Sequence, residues 1–366
     1  MAYFRCGGKP EEEKTAYWND ETLVVTPTSG KTMKKVTVKK PVLTGITITT
    51  QPTKKSYQKG ESFDPSGMVV TASYDNGTSK AVIGYTYSPA TFMTTGTVTV
   101  TISYTENGVT KTVSLTVSVS VKIVTWAGGT DEEIADMVAA ADAGQIDLSN
   151  YWAVGDERSA SLLEMAATGV GESHVAQTVK LVLMDTTCTG FTLASATASG
   201  RTKPSFIVGM KNSLVETGYM NSTNTNSNGW SGAARRTWCN NIFRMAIPTS
   251  LRGAFKQFKW KQGKGGGVSS GLLETTDYFG LPPEKVIFRS SAYSQTDEAA
   301  LYSQWEWYKT ASNRIKKLGE TGSTGGWWEC SPCSGSSSGF CRVASGGSAG
   351  GSYASDAYGL APFGCI

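Results

Sequence analysis

Residues 326–366 read GWWECSPCSGSSSGFCRVASGGSAGGSYASDAYGLAPFGCI. Two large aromatics, Trp327 and Trp328, open this stretch, and the apolar run Leu360-Ala361-Pro362-Phe363-Gly364-Cys365-Ile366 closes it. Between Cys333 and Gly359 the chain holds almost only Ser, Gly, Ala, Cys, Tyr and Asp, interrupted by Phe340, Arg342 and Val343. A Gly/Ser linker would share that composition. A linker or disordered tail, however, has no reason to carry a Trp pair at one end and Pro-Phe-Gly-Cys-Ile at the other. The pattern predicts a buried frame of Trp327, Trp328, Pro332, Phe340, Val343, Pro362, Phe363 and Ile366 that carries exposed loops of small residues.

The small-residue window has a second property. From Cys333 to Gly359 there is no Lys, Glu, Gln, Met or Trp, whereas residues 306–332 hold all of these except Gln and Met. The missing types are those that no pyrimidine-ending codon encodes. Randomising the two adenines of Asn codons would yield the residues present, which points to a cassette diversified on purpose. The positions expected to vary and to bind ligand are Cys333, Ser334, Gly335, Ser336, Ser338, Gly339, Arg342, Ala344, Gly346, Ser348, Gly350, Gly351, Ser352, Tyr353, Asp356 and Tyr358.

Trp327, Trp328, Ser331, Pro332, Phe340, Cys341, Val343, Gly359 and the run from Leu360 to Ile366 together resemble the closing frame of a phage branch of variable proteins. Those proteins are targets of diversity-generating retroelements, in which a reverse transcriptase copies an Asn-rich template with errors at adenines. Trp152-Ala153-Val154-Gly155-Asp156 and Gly229-Trp230-Ser231 also resemble that branch, so the likeness spans residues 121–366. Cys330 departs from it, standing where the branch carries Arg. The resemblance implies an α+β C-type-lectin-like domain with its variable region at 327–366.

Other parts of the chain limit the alternatives. Its 366 residues exceed one ordinary domain, and 17% charged residues with a net charge of +4 do not argue for nucleic acid or an anionic membrane. No run of eighteen apolar residues predicts a transmembrane helix. The opening residues Met1-Ala2-Tyr3-Phe4-Arg5-Cys6 lack the apolar core of a signal peptide. Seven scattered Cys suit isolated thiols better than a disulfide framework.

Residues 1–40 mix an acidic Glu11-Glu12-Glu13 with Lys31, Lys34, Lys35, Lys39 and Lys40. Alternation predicts strands at 22–26 and 35–39, in a segment read either as a solvated strand face or as an attachment segment to a larger assembly. From 41 to 120, Thr alternates with Val or Ile in runs at 44–49, 68–74, 97–104 and 112–119. Asp75-Asn76-Gly77 and Glu106-Asn107-Gly108 supply hairpin turns, because Asn-Gly tolerates positive φ. Short β-branched strands at this spacing predict an all-β sandwich. With Gln51-Pro52 and Tyr57-Gln58-Lys59-Gly60-Glu61, the segment resembles the group 3 bacterial Ig-like domains, which implies a spacer or adhesion module.

Further on, Thr130-Asp131-Glu132-Glu133 opens a helix with Ile134, Met137, Val138 and Ala141 on one face and Gly144 closing it. Residues 179–184 predict a buried strand, 221–228 a polar loop, 229–238 a short helix and 298–318 a longer one.

Catalytic chemistry is thin. The one histidine, His174, lies in no Gly-x-Ser-x-Gly context and is expected to be structural or on the surface. Cys330-x-x-Cys333 has the spacing of half a zinc site, and Cys341 and Cys365 could complete it. The position of Cys333 inside the diversified window speaks against that, so no metal or cofactor is expected. Gly263-Lys264-Gly265-Gly266-Gly267 does not follow the phosphate-loop pattern and reads as a turn. The fold expected is therefore multidomain, an all-β Ig-like sandwich followed by an α+β C-type-lectin-like domain.

The resemblance implies a receptor-binding or adhesion protein on the virion surface, made in the host cytoplasm and not an enzyme. Expected partners are a host-cell surface receptor, protein or glycan, and other virion proteins, with the chain forming a homo-oligomer and inserting in no membrane. Two alternatives remain open. One is a virion decoration protein that binds glycans or mucus non-specifically. The other is an enzyme on a formylglycine-generating-like scaffold using Cys330 and Cys341.

Overall fold

The computed structural model describes residues 40–167 and 172–366, together with the backbone of two strands, Lys14–Asn19 and Thr22–Pro27. Those two strands pair antiparallel, with Tyr17 opposite Val24. The strand expected at 35–39 lies outside the described residues, as does most of the segment 1–40. The chain divides into two compact units, 1–120 and 121–366.

In the first unit two sheets face each other across a core. One holds Leu43–Thr50, Val69–Tyr74 and Ser79–Val82 in that order; the other holds Ser56–Gln58, Val109–Ser120, Gly96–Glu106 and Thr86–Ser88. The alternation explains the sandwich. Leu115, Val117 and Val119 are buried while Thr116, Ser118 and Ser120 point to solvent. Tyr57, Phe63 and Phe92 fill the centre, with Tyr57 and Phe92 rings 4.6 Å apart. Glu106 lies opposite Val109, so Asn107 (φ 50°) and Gly108 (φ 78°) form a two-residue hairpin turn.

The second unit opens with the expected helix, Asp131–Asp142. Thr130 accepts from the Glu133 amide and Glu133 reaches back to the Thr130 amide, a reciprocal cap, and Gly144 follows the last turn at φ 74°. Ile134, Met137, Val138 and Ala141 are its buried stripe. The strand Gln177–Asp185 belongs to a five-stranded sheet in the order Glu157–Leu162, Gln177–Asp185, Ile207–Met210, Phe363–Cys365, Phe279–Gly280. The apolar close is thus an inner strand. Rings of Trp305, Phe191, Phe258 and Trp260 surround Phe363 at 5.1–5.5 Å. A second five-stranded sheet runs Thr217–Gly218, Tyr358–Gly359, Trp327–Pro332, Gly339–Val343, Ala349–Tyr353.

Two expectations need correction. Residues 298–318 do not form a helix. They hold the end of a short one, Thr296–Ala299, two tight turns, Glu306–Lys309 and Ala311–Arg314, and a strand, Lys316–Lys317. Tertiary partners take the donors a helix would need: the Trp305 amide donates to Val286 O (2.9 Å) and the Glu306 amide to Asp185 Oδ1 (3.3 Å). The helix at 229–238 breaks into Gly229–Gly232 and Ala234–Trp238 because Ala233 is extended (ψ 133°), then runs on to Ala246. Among the described residues no helix is long and apolar enough to cross a membrane.

Candidate functional site

Trp327–Pro332 is a strand with all six residues buried. Each Trp indole is also anchored, Trp327 Nε1 to Arg314 O (2.9 Å) and Trp328 Nε1 to Gly218 O (2.7 Å). Phe340 and Val343 in the next strand are buried, as are Pro332, Pro362, Phe363 and Ile366. The residues between these points surface in three loops.

The first loop turns between Cys333 and Gly339, which are tied by the Cys333 amide to Gly339 O (2.9 Å). Gly335 takes φ 71°, and Ser336 Oγ accepts from the Gly339 amide (3.0 Å). The second is a tight turn at 344–348, closed by the Ala344 amide to Ser348 O (2.8 Å), with Gly347 at φ 86°. The third runs from Tyr353 to Tyr358, where Asp356 Oδ2 accepts from the Tyr353 amide (3.1 Å). Small residues suit the bends and the strand Ala349–Tyr353 between them. Gly351, for example, would bring a Cβ within 2.8 Å of Cys333 Sγ.

The predicted positions separate by exposure. Ser334, Gly335, Gly346, Ser348, Gly351 and Tyr353 are exposed, Tyr353 at 60%. Cys333, Ser336, Ser338, Arg342, Ala344, Gly350, Ser352, Asp356 and Tyr358 are half-buried. Gly339 is buried, because it lies in the strand that closes the first loop. Tyr358, expected among the ligand-binding positions of the exposed loops, is instead packed down on the frame. Its ring meets Trp328 edge-on at 5.0 Å, Arg342 lies 4.8 Å above it, and its hydroxyl accepts from Ser352 Oγ (3.0 Å), which accepts from Arg342 Nε (2.7 Å). Arg342, Ser352 and Tyr358 therefore form one braced polar group.

Residues outside the window complete the face. Tyr293, Val268 and Ile315 are exposed; Tyr293 stands against Gly351, and its carbonyl accepts from the Ser334 amide (2.7 Å). Beneath the first loop, Asn226 is fully buried. Its Nδ2 donates to Ser336 O (2.8 Å) and Gly339 O (2.7 Å), and its Oδ1 accepts from the Gly266 amide (2.8 Å). One side chain thus joins this loop to the glycine turn at 263–267. In the sequence Asn226 is one polar residue of an Asn/Ser/Thr run, and no local signal distinguishes it.

Three buried carboxyls lie under the same strands. Glu284 accepts from the amides of Ala292, Tyr293 and Ser294 at 2.7–3.1 Å. Glu298 accepts from the Gly263 amide (2.6 Å) and contacts Ser331 Oγ; burial pushes its pKa up to about 7. Glu329 is also fully buried, and burial holds its carboxyl well above the usual range. All six cysteines among the described residues are free, but they are not all isolated: Cys333 Sγ and Cys341 Sγ lie 4.0 Å apart. His174 is fully buried, its Nδ1 against Glu216 and its ring edge-on to Trp238 and Phe243, a structural arrangement.

Comparison with known families bears on the first unit. Residues 50–119 match the bacterial Ig-like domain (group 3) family. The chain carries a bacterial Ig-like domain. The match covers the Ig-like domain from the end of its first strand to the end of its last, Val109–Ser120. No curated protein matches the chain.

Proposed function

We propose that the second unit is a C-type-lectin-like domain presenting a diversified ligand-binding face, on a phage protein that attaches virions to host cells. The observation that carries this is the coincidence of composition and exposure. The window without Lys, Glu, Gln, Met or Trp begins where the buried Trp327–Pro332 strand ends, and it holds all three loops. Loops seated on the buried strand Trp327–Pro332 and its neighbour Gly339–Val343 can change side chains without loss of the core beneath. Ser and Gly provide adaptable hydrogen bonding, and Tyr353 provides amphipathic contact area at low entropic cost, as in antibody loops. The Ig-like domain then serves as a spacer, residues 1–40 as the attachment segment, and many copies on one particle raise weak single-site affinity by avidity.

An enzyme using Cys330 and Cys341 has less support. Both thiols are fully buried, and burial keeps both well above their usual pKa, so neither is an accessible thiolate.

Adsorption tests the proposal. Particles carrying Tyr353→Ala, Ser334→Arg or Ser348→Arg should change which host strains they adsorb to, and the gene should use pyrimidine-ending codons across 333–358, with an Asn-rich near-copy and a reverse transcriptase nearby. Unchanged adsorption for all three variants, or purine-ending codons at several of these positions, would sink it.

A further inference from the structure

The buried carboxyls and thiols beneath the loops have a use that attachment does not require. Glu329 lies in the all-buried strand Trp327–Pro332, and neither of its carboxyl oxygens has a hydrogen-bond partner among the described residues. A carboxyl in that condition is costly and marks a missing partner. Around it stand Glu284 and Cys341, and one ligand atom from each of the three residues lies within 4.8 Å of the others. Glu284 cannot swing away, since three backbone amides of the 292–294 turn hold its carboxylate. Cys333 Sγ sits 4.0 Å from Cys341 Sγ.

We propose that Glu284, Glu329 and Cys341 bind one divalent zinc ion beneath the first loop, with the fourth position left to water and no ligand drawn from the positions expected to vary. The donor set selects the metal. Calcium and magnesium take oxygen ligands throughout, whereas mixed thiolate and carboxylate donors suit zinc. Binding releases the Cys341 thiol proton, and that of Glu329, to solvent, and the ion takes up the Glu329 lone pairs that the fold leaves unused. The site fastens the strand Trp327–Pro332 to Gly339–Val343 at the base of the loop between them. It differs from the Cys330, Cys333, Cys341 and Cys365 set that spacing alone suggests, because two ligands are carboxyls from positions with no Cys pattern nearby.

The test uses the full chain, purified in a non-thiol reductant, with ZnCl2, CoCl2 or CaCl2 as probes. Expected results are about one zinc per chain retained after desalting and a Tm raised by roughly 5–10 °C at a hundredfold excess over Kd. Cobalt should give a thiolate charge-transfer absorption, and calcium should shift nothing. Glu329→Gln and Cys341→Ser should lose at least tenfold in zinc affinity; Cys365→Ser, a buried thiol outside the cluster, should keep it. If the wild-type chain retains no zinc and shows no thermal shift, the proposal fails whatever the variants do. Zinc retained equally by Glu329→Gln, Cys341→Ser and Cys365→Ser places the ion elsewhere and equally overturns it.

Discussion

Replacing Asn226 by Ala should loosen the first loop by an amount that the hydrogen bonds allow one to work out. Three bonds disappear: two from Nδ2, to Ser336 O and Gly339 O, and one to Oδ1 from the Gly266 amide. The two carbonyls keep other donors, the Gly267 amide (3.0 Å) and the Cys333 amide (2.9 Å), so only the Gly266 N–H loses a partner outright. The two bonds whose carbonyls keep another donor contribute about 0.5 kcal/mol each, and the orphaned Gly266 N–H costs about 1–2 kcal/mol, for a total of roughly 2–3 kcal/mol. For a unit of this size that lowers Tm by roughly 5–10 °C. Calorimetry on the full chain should show the shift in the transition of the second unit and leave that of the Ig-like domain in place. Hydrogen exchange at Gly266 and Gly339 should accelerate as well. The control is Asn224→Ala, whose side chain accepts only from exposed Ser355; it should move stability by less than about 0.5 kcal/mol. If Asn226→Ala melts within a degree or so of wild type, or Asn224→Ala is as harmful, the role given to Asn226 is wrong.

Trp328→Ala should destabilise by roughly 3–5 kcal/mol through cavity formation, whereas Tyr353→Ala should stay within about 0.5 kcal/mol in the same urea melts. Tyr358→Ala should fall between them, at about 1–2 kcal/mol, from its lost ring contact with Trp328 and the unbraced Arg342. Glu298, ordinary value 4.5, is held near 7 in the fold by burial. The folded state therefore binds its proton more tightly, and this group's stabilising contribution is full below about pH 4.5 and lost as pH rises through about 7. Glu298→Gln should flatten the fall in unfolding free energy between pH 5 and 7.5; an identical slope in both proteins would exclude the assignment. Residues 41–120 expressed alone should unfold cooperatively on heating, since the sandwich core draws only on its own strands.

Much of the architecture is visible in local pattern. Period-two Thr/Val alternation shows one face of each Ig-like strand inward, and Asn107-Gly108 gives the hairpin, because both depend on neighbours in sequence. The reciprocal Thr130–Glu133 cap is equally local. The frame at 327–366 is legible because large apolar residues bracket a segment too small and polar to form a core. Failures arise where distant partners decide. Trp305 and Glu306 give their amides to Val286 and Asp185, and the helix expected there is lost. Tyr358 looks like another exposed loop tyrosine until the Trp328 edge and Arg342 are placed beside it. Glu284, Glu329 and Cys341 come together only through tertiary packing, across a chain separation that no spacing rule covers.

The position of Phe363–Cys365 inside its sheet has a consequence for synthesis. Its neighbours, Ile207–Met210 and Phe279–Gly280, leave the ribosome well before it, yet they have no inner strand to pair with until the residues after the loops emerge. A product that stops or shifts frame anywhere between 333 and 359 leaves that slot vacant and its aromatic pocket open to proteases and chaperones. Every molecule that folds has therefore been translated in frame through the loop segment. The fold acts as a proofreader: it removes chains whose loop segment is broken.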